Sequence, residues 1–199
     1  VEFADLQCGG CARAEAVLRQ LRDRYRGRMR YTLRHYPLTT HHPHAWKAAE
    51  AAECASEQGK YWKAVETFFE HQKELEPEGL KRHAKRIGFD EQAFGECLDS
   101  GRMAARVRRD KEDGAALGVR GTPTFFLGER PLTGVPTLAQ FTELIEAESA
   151  KNGGKGSSVA TDNGAQMGSD REPSAEPVTA GSGGPNPGND RMVITDPSP

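Results

Sequence analysis

Cys8 and Cys11, separated by Gly9-Gly10, are the residues of this sequence best suited to chemistry. Before them runs Val1-Glu2-Phe3-Ala4-Asp5-Leu6, short, mostly apolar and compatible with a strand. After them Val17, Leu18, Leu21 and Tyr25 recur at helical spacing among Arg and Glu. Two cysteines at i and i+3 on the first turn of a helix face the same way, close enough to bond each other. The first would meet free N–H groups and the positive end of the helix dipole, which favour negative charge. A thiol there ionises below its free value of about 8.5, and the thiolate is the nucleophile. This spacing therefore offers an attacking and a resolving cysteine one turn apart. The same spacing also fits half a zinc site or a structural bridge. A zinc site wants a second close ligand pair. Cys54 and Cys97 stand singly and far apart, which argues against a four-thiolate knuckle.

His41, His42 and His44 raise the question of a metal. A metal needs converging ligands in fixed geometry, whereas Pro43 is expected to open a helix. No metal is expected, and His41 or His42 is placed instead near the redox face. With 27 basic and 29 acidic residues and a net charge of −2, nothing suggests a nucleic-acid surface. No apolar run approaches the length of a membrane span. The chain opens on Val1 inside a strand, reading as a fragment or processed product, so the missing targeting segment says little about compartment. Four cysteines fit one catalytic and one structural disulfide, which favours an oxidising compartment.

The elements that must position the thiols follow in order. Met29, Tyr31 and Leu33 alternate with Arg30, Thr32 and Arg34, a strand with one buried face. Residues 43 to 117 read as helices throughout, with an alanine face (Ala45, Ala48, Ala49, Ala52) and an aromatic stripe through Trp62, Phe68 and Phe69. A break is expected at Pro77, a stop at Gly88 and an N-cap at Asp90. The Arg and Lys side chains between 102 and 111 are expected to form a solvated face with acidic partners. Thr124 to Leu127 then forms a strand, Gly128 to Arg130 a turn, and Pro131 to Gly134 an edge strand. Thr137 with Gln140 makes a capping box for a last helix carrying Phe141, Leu144 and Ile145. From Ala150 the chain loses its aromatics and turns rich in Gly, Ser, Pro, Asn and Asp, the composition of a disordered tail. Its one apolar patch, Met192-Val193-Ile194, is assigned no function.

The stretches "VEFADLQCGGCARAE", "RYTLRHYPL", "HPHAWKAAEAAECA" and "GVRGTPTFFLG", in that order and with the closing helix, resemble the thioredoxin superfamily. Within it they look like a DsbA-type thiol:disulfide oxidoreductase over residues 1–148. The resemblance implies an α/β thioredoxin fold with an inserted helical subdomain: a domain over residues 1–149, the insert over about 40–117, and the tail over 150–199. Only the extra N-terminal strand common in the family would be missing. Thr122-Pro123 would form a cis-proline loop facing the redox pair and presenting backbone to an incoming peptide. Glu2, six residues before Cys8, matches the family's acidic residue beneath the site, which helps move protons. Read from its position alone, it is equally an exposed strand-end carboxylate. Gln7, Gly9 and Gly10 flank the thiols, and here the sequence departs from the family's commoner Pro-Tyr or Pro-His. The two glycines loosen the helix start by roughly 1 kcal/mol each relative to Ala.

Related bacterial members often pair cysteines within the insert, which implies a Cys54–Cys97 structural disulfide. Two buried free thiols are the alternative. The dithiol is itself the redox group, so no organic cofactor is implied. Implied partners are protein thiols and disulfides, with a redox partner protein that resets the pair. The implied location is periplasmic or extracytoplasmic. A reductase or isomerase of the same fold is a rival, and a glutathione-dependent isomerase would normally lack the second cysteine. A rival of another class is a redox-regulatory or binding module. Similar domains are fused to bacterial sodium/proton antiporters, whose membrane helices this chain does not contain.

Overall fold

Side chains alternate faces along a strand, so a strand buried on both sides must be covered twice, and that condition organises the molecule. The computed structural model describes residues 1–153. In it β1 (Glu2–Ala4) is flanked by β2 (Leu33–His35), parallel, and by β3 (Thr124–Leu127), antiparallel. A fourth strand, β4 (Arg130–Thr133), pairs antiparallel outside β3, giving the order β2-β1-β3-β4. Glu2 sits opposite Leu33 on one side and Phe125 on the other. Pro131 lies on the outermost strand opposite Phe126, where a missing N–H is tolerated.

Helix α1 (Gly9–Arg24) and helix α7 (Leu138–Gly153) cover one face, where Leu18 and Leu21 join Ala4, Leu33, Phe125 and Phe141 in one buried cluster. On the other face Phe3, Tyr36 and Val119 form a smaller cluster beneath α6 (Ala104–Ala116). That helix approaches closely because Gly114 has no side chain. A Cβ there would lie 2.8 Å from the Tyr36 ring and 2.9 Å from the Phe3 ring.

Between β2 and β3 the chain makes five helices: α2 (Ala45–Ser56), α3 (Tyr61–Glu70), α4 (Pro77–Ile87), α5 (Glu91–Ser100) and α6. The alanine face of α2 is fully buried, letting its neighbours pack close. Asp90 caps α5 by accepting the Ala93 N–H at 2.9 Å. Gly88 ends α4 in the left-handed region at φ 81°. At α7 the Thr137 N–H donates to Gln140 Oε1 at 2.8 Å and the Gln140 N–H returns to Thr137 Oγ1 at 3.2 Å, a reciprocal capping box. Cys54 of α2 and Cys97 of α5 form a disulfide with Cα atoms 5.9 Å apart, so these cysteines are not free thiols.

Four local expectations shift. Regular strand geometry begins at Leu33 rather than Met29; upstream of it the Thr32 carbonyl accepts the Glu2 N–H at 2.8 Å. Pro43 precedes α2 instead of opening it, because His44 is the N-cap and gives its N–H to Gln7 Oε1. Arg106 has the acidic partner expected of its face, but that partner is the wholly buried Glu53, 2.6 Å from its Nε, which draws the Arg106 side chain inward to 27 % exposure. The helix α7 runs to Gly153, past the boundary expected at residue 149. The rest of the expected tail, with Met192-Val193-Ile194, lies outside the described residues.

Candidate active site

Ladder pairing stops at Ala4 because Asp5 turns the chain: its Oδ1 accepts the Gln7 N–H at 2.7 Å and its carbonyl accepts the Cys8 N–H at 3.0 Å. Cys8 is the N-cap of α1, with extended backbone at φ −78° and ψ 121°, and its carbonyl takes the Ala12 N–H at 3.2 Å. Its side chain therefore stands at the open end of the helix, half-exposed. Cys11, one turn inside, is 0 % exposed and faces the core. Both are free thiols, and the Asp5 N–H donates to Cys11 Sγ at 3.5 Å. Across from them the Thr122–Pro123 peptide bond is cis. The Cys8 thiol donates to the Thr122 carbonyl at 3.5 Å. A Cβ on Gly10 would lie 3.1 Å from Pro123 Cδ and 3.5 Å from Cys8 Sγ, so this glycine fills the seam between the thiols and the loop.

The two thiols are driven apart in acidity. A hydrogen bond from Cys11 holds Cys8 down at about 5, against the cost of its partial burial. Thr122 and the N–H groups of Cys11 and Gly10 add to that effect. Burial pushes the Cys11 thiol far up, and its bond to Cys8 and the charge of Glu2 push the same way.

Glu2 is 1 % exposed, the opposite of a strand-end carboxylate in solvent. Alternation along β1 sets Glu2 and Ala4 on one face and Phe3 on the other; Ala4 shares its buried cluster with Cys11. Burial raises Glu2 to about 8, although the Tyr31 hydroxyl donates to its Oε2 and opposes the rise. Its Oε1 is buried with no hydrogen-bond partner. Tyr31 ionises well above its ordinary range, chiefly through burial and then through Glu2. Beyond Tyr31 the Arg22 guanidinium lies 5.4 Å from the ring centroid and pairs with Glu15 and Glu66.

The structure thus brings Gln7, Cys8, Gly9, Gly10, Cys11, Thr122 and Pro123 to one end of the sheet, sets Glu2 at the start of β1 where its charge still acts on Cys11, and keeps Cys54 and Cys97 in the insert. His42 lies at the redox end: its Nδ1 is 2.8 Å from Asp5 Oδ2. Sequence reasoning missed Asp5, Tyr31 and Gln72. Gln72 Nε2 donates to the carbonyls of both Leu6 and Cys8 at 2.9 Å. A carboxylate three residues before a cysteine and a glutamine in a polar turn carry no pattern of their own; only the alternation that buries Tyr31 was readable.

A thioredoxin family model matches residues 1–147. The Na(+)/H(+) antiporter NhaA 3 of Salinispora tropica is 44 % identical over 130 residues, covering 65 % of this chain and 20 % of that protein. The chain thus spans about a fifth of that relative's length. Among solved structures, a thioredoxin-like oxidoreductase from Silicibacter pomeroyi superposes with a TM-score of 0.68 at 24 % identity, covering 75 % of this chain and 84 % of the other. Wolbachia pipientis alpha-DsbA1 does so with a TM-score of 0.68 at 23 % identity, covering 77 % and 86 %. A mixed four-stranded sheet, a helical insert and a matching family model over residues 1–147 mean that the chain belongs to the thioredoxin family and has the fold of its DsbA-like members.

Proposed function

We propose that this chain is a thiol:disulfide oxidoreductase that exchanges disulfides with protein cysteines through Cys8 and Cys11. The observation that carries the reading is the asymmetry of the pair: a half-exposed thiol at a helix N-terminus, ionised at neutral pH, beside a fully buried thiol that is not. In the oxidising direction a substrate thiolate attacks Cys8 Sγ of the Cys8–Cys11 disulfide, and Cys11 leaves as a thiolate. Glu2, protonated at neutral pH by its burial, gives Cys11 a proton. A second substrate thiolate then attacks the substrate sulfur of the mixed disulfide and Cys8 leaves. The substrate loses two electrons as its disulfide forms, and the Cys8–Cys11 pair gains them. In the reverse direction Cys8 attacks, Glu2 takes the Cys11 proton and Cys11 resolves. Thr122 and Pro123 present backbone to the bound peptide, and a redox partner protein resets the pair. The Cys54–Cys97 disulfide supports an extracytoplasmic location, where such bonds persist.

Cys11→Ala should trap a cysteine-containing peptide covalently on Cys8, while Cys8→Ala should neither trap nor turn over. Alkylation of the reduced protein at neutral pH should label Cys8 first; faster labelling of Cys11 overturns the assignment.

The name and the coverage of the Salinispora tropica relative favour a second reading, in which the same dithiol regulates a membrane antiporter to which such a domain is joined. Sodium/proton exchange by that full-length relative in vesicles, measured with the thiols oxidised and reduced, separates the two. A rate that follows redox state supports the module; an unchanged rate supports the enzyme alone.

A further inference from the structure

Each residue of the redox loop from Asp5 to Cys8 is bonded to the part of the chain that leads into, or belongs to, the helical insert. Asp5 Oδ2 accepts the Leu38 N–H and faces His42 Nδ1, both at 2.8 Å. Gln7 Oε1 accepts the His44 N–H at 2.9 Å. The carbonyls of Leu6 and Cys8 are both taken by Gln72, from the turn between α3 and α4. A primary amide has two N–H donors, and here both are spent on one loop.

The second of those bonds has a consequence for the thiol. The Cys8 carbonyl belongs to the Cys8–Gly9 peptide plane, and the tilt of that plane is the ψ angle of Cys8. That angle decides where the Cys8 side chain stands relative to the Cys11 thiol, the Thr122 side chain and the N–H groups of Cys11 and Gly10, which together hold its ionisation down. Bonding the Leu6 carbonyl fixes the Leu6–Gln7 plane as well, and the Gln7–Cys8 plane between them is held by the Cys8 N–H on the Asp5 carbonyl at 3.0 Å, so the loop has little freedom to swing Sγ off the helix axis. We infer that Gln72 is a positioning residue for Cys8: the insert sets the acidity of the reactive thiol by clamping the two carbonyls on either side of Gln7. The inference rests on Cys8 being the reactive thiol, as proposed above.

The test is the ultraviolet thiolate titration of the reduced protein, which needs no substrate. Burial pushes the Cys11 thiol far up, and a phenol ordinarily ionises at about 10, so the acidic transition reports Cys8 alone. Gln72→Leu keeps length and removes both donors. Gln72→Glu keeps shape and turns oxygens toward the two carbonyls. The Cys8 midpoint, about 5 in the native chain, should rise by about 0.5–1 unit in Gln72→Leu, since the released carbonyls let the loop carry Sγ away from the groups that hold its ionisation down. It should rise further in Gln72→Glu, and alkylation at acidic pH should slow in step. Melting curves establish that each variant is folded. Should these two fail to fold, Gln72→Asn, which only draws the donors back by one methylene, must give a smaller rise of the same sign. A folded variant that titrates at the native midpoint overturns the inference. If the midpoint moves but the native chain exchanges no disulfides with peptides, the clamp stands and the proposed function falls; exchange with an unmoved midpoint means the reverse.

Discussion

Cys8 Sγ meets the carbonyl oxygen of Thr122 at 3.5 Å, although 114 positions separate the two residues. The same threonine has a second group at the site. Its hydroxyl oxygen is buried without a partner while Cys8 is a thiol. Ionisation reverses the need: a thiol donates to the carbonyl, whereas a thiolate accepts from the hydroxyl, and Thr122 accordingly helps hold Cys8 down at about 5.

Thr122→Val keeps the carbonyl and deletes the hydroxyl. The thiolate titration midpoint of Cys8 should then rise by about 1 unit, the size of one hydrogen bond to a charged group at a half-exposed site. The melting temperature of the reduced protein should hold at acidic pH, where Cys8 is a thiol and the hydroxyl is unpaired, and fall at neutral pH, where the thiolate loses a donor. An unmoved midpoint in the folded variant would remove the hydroxyl from the mechanism.

Glu2 gives stability a pH dependence of known sign. Its folded-state value of about 8 lies above the ordinary 4.5, so folding favours the protonated acid. That contribution is complete below 4.5, declines as the unfolded chain ionises with rising pH, and is gone above about 8. Glu2→Gln cannot ionise, so denaturant titrations of the variant should lack this decline and leave it more stable than the native chain at alkaline pH. Without the carboxylate to take the Cys11 proton, release of a mixed disulfide on Cys8 should slow on the order of 100-fold. The rate inflection near 8 should vanish with it. A release rate and pH profile matching the native chain would leave Glu2 a buried acid with no part in proton transfer.

Much of this site could be read from local sequence, because the CxxC turn and the Thr-Pro step are short patterns whose meaning travels with them. Glu2 could not be resolved between core and surface, since the burial of a strand's face depends on what covers it. Here α1 covers that face, and the covering helix is placed by residues far along the chain. Asp5 illustrates a different blind spot. Within the strand-like run Val1–Leu6 nothing singled it out, yet it is 2 % exposed and Gln7, Leu38 and His42 all bond to its carboxylate. Gln72 was invisible for the same reason: its partners are backbone carbonyls, which every residue has. Arg106 looked like one of several solvated cations because the sequence does not tell which carboxylate, here the buried Glu53, needs one.

The Cys54–Cys97 bond closes a loop of 43 residues that contains all of α3 and α4. On the chain-entropy model such a closure stabilises by about 4 kcal/mol. A Cys54→Ala/Cys97→Ala double variant should lose about that much in denaturant titrations. Because the pair lies in the insert, its Cys8 midpoint should stay within about 0.5 unit of native. A thiol count on the fully oxidised, denatured native chain should find none; two free thiols would contradict the bond.

Gly9 and Gly10 are adjacent in sequence, yet the site treats them oppositely. A Cβ at Gly9 would meet only the far end of the Arg13 side chain, at 3.7 Å, and a flexible guanidinium moves aside. At Gly10 it would press on the Pro123 ring at 3.1 Å and touch Cys8 Sγ at 3.5 Å. Neither glycine has a positive φ, so alanine fits both backbones. Gly9→Ala should therefore gain up to about 1 kcal/mol of helix propensity with Cys8 unchanged. Gly10→Ala should gain less or nothing, since relieving the contact means moving the Thr122–Pro123 loop away from the thiol. That movement weakens the Thr122 contact, so the Cys8 midpoint should rise in Gly10→Ala and not in Gly9→Ala. Denaturant titration and thiolate absorbance on the two variants check both halves; equal stabilisation with equal midpoints would mean the loop does not bear on the thiol through Gly10.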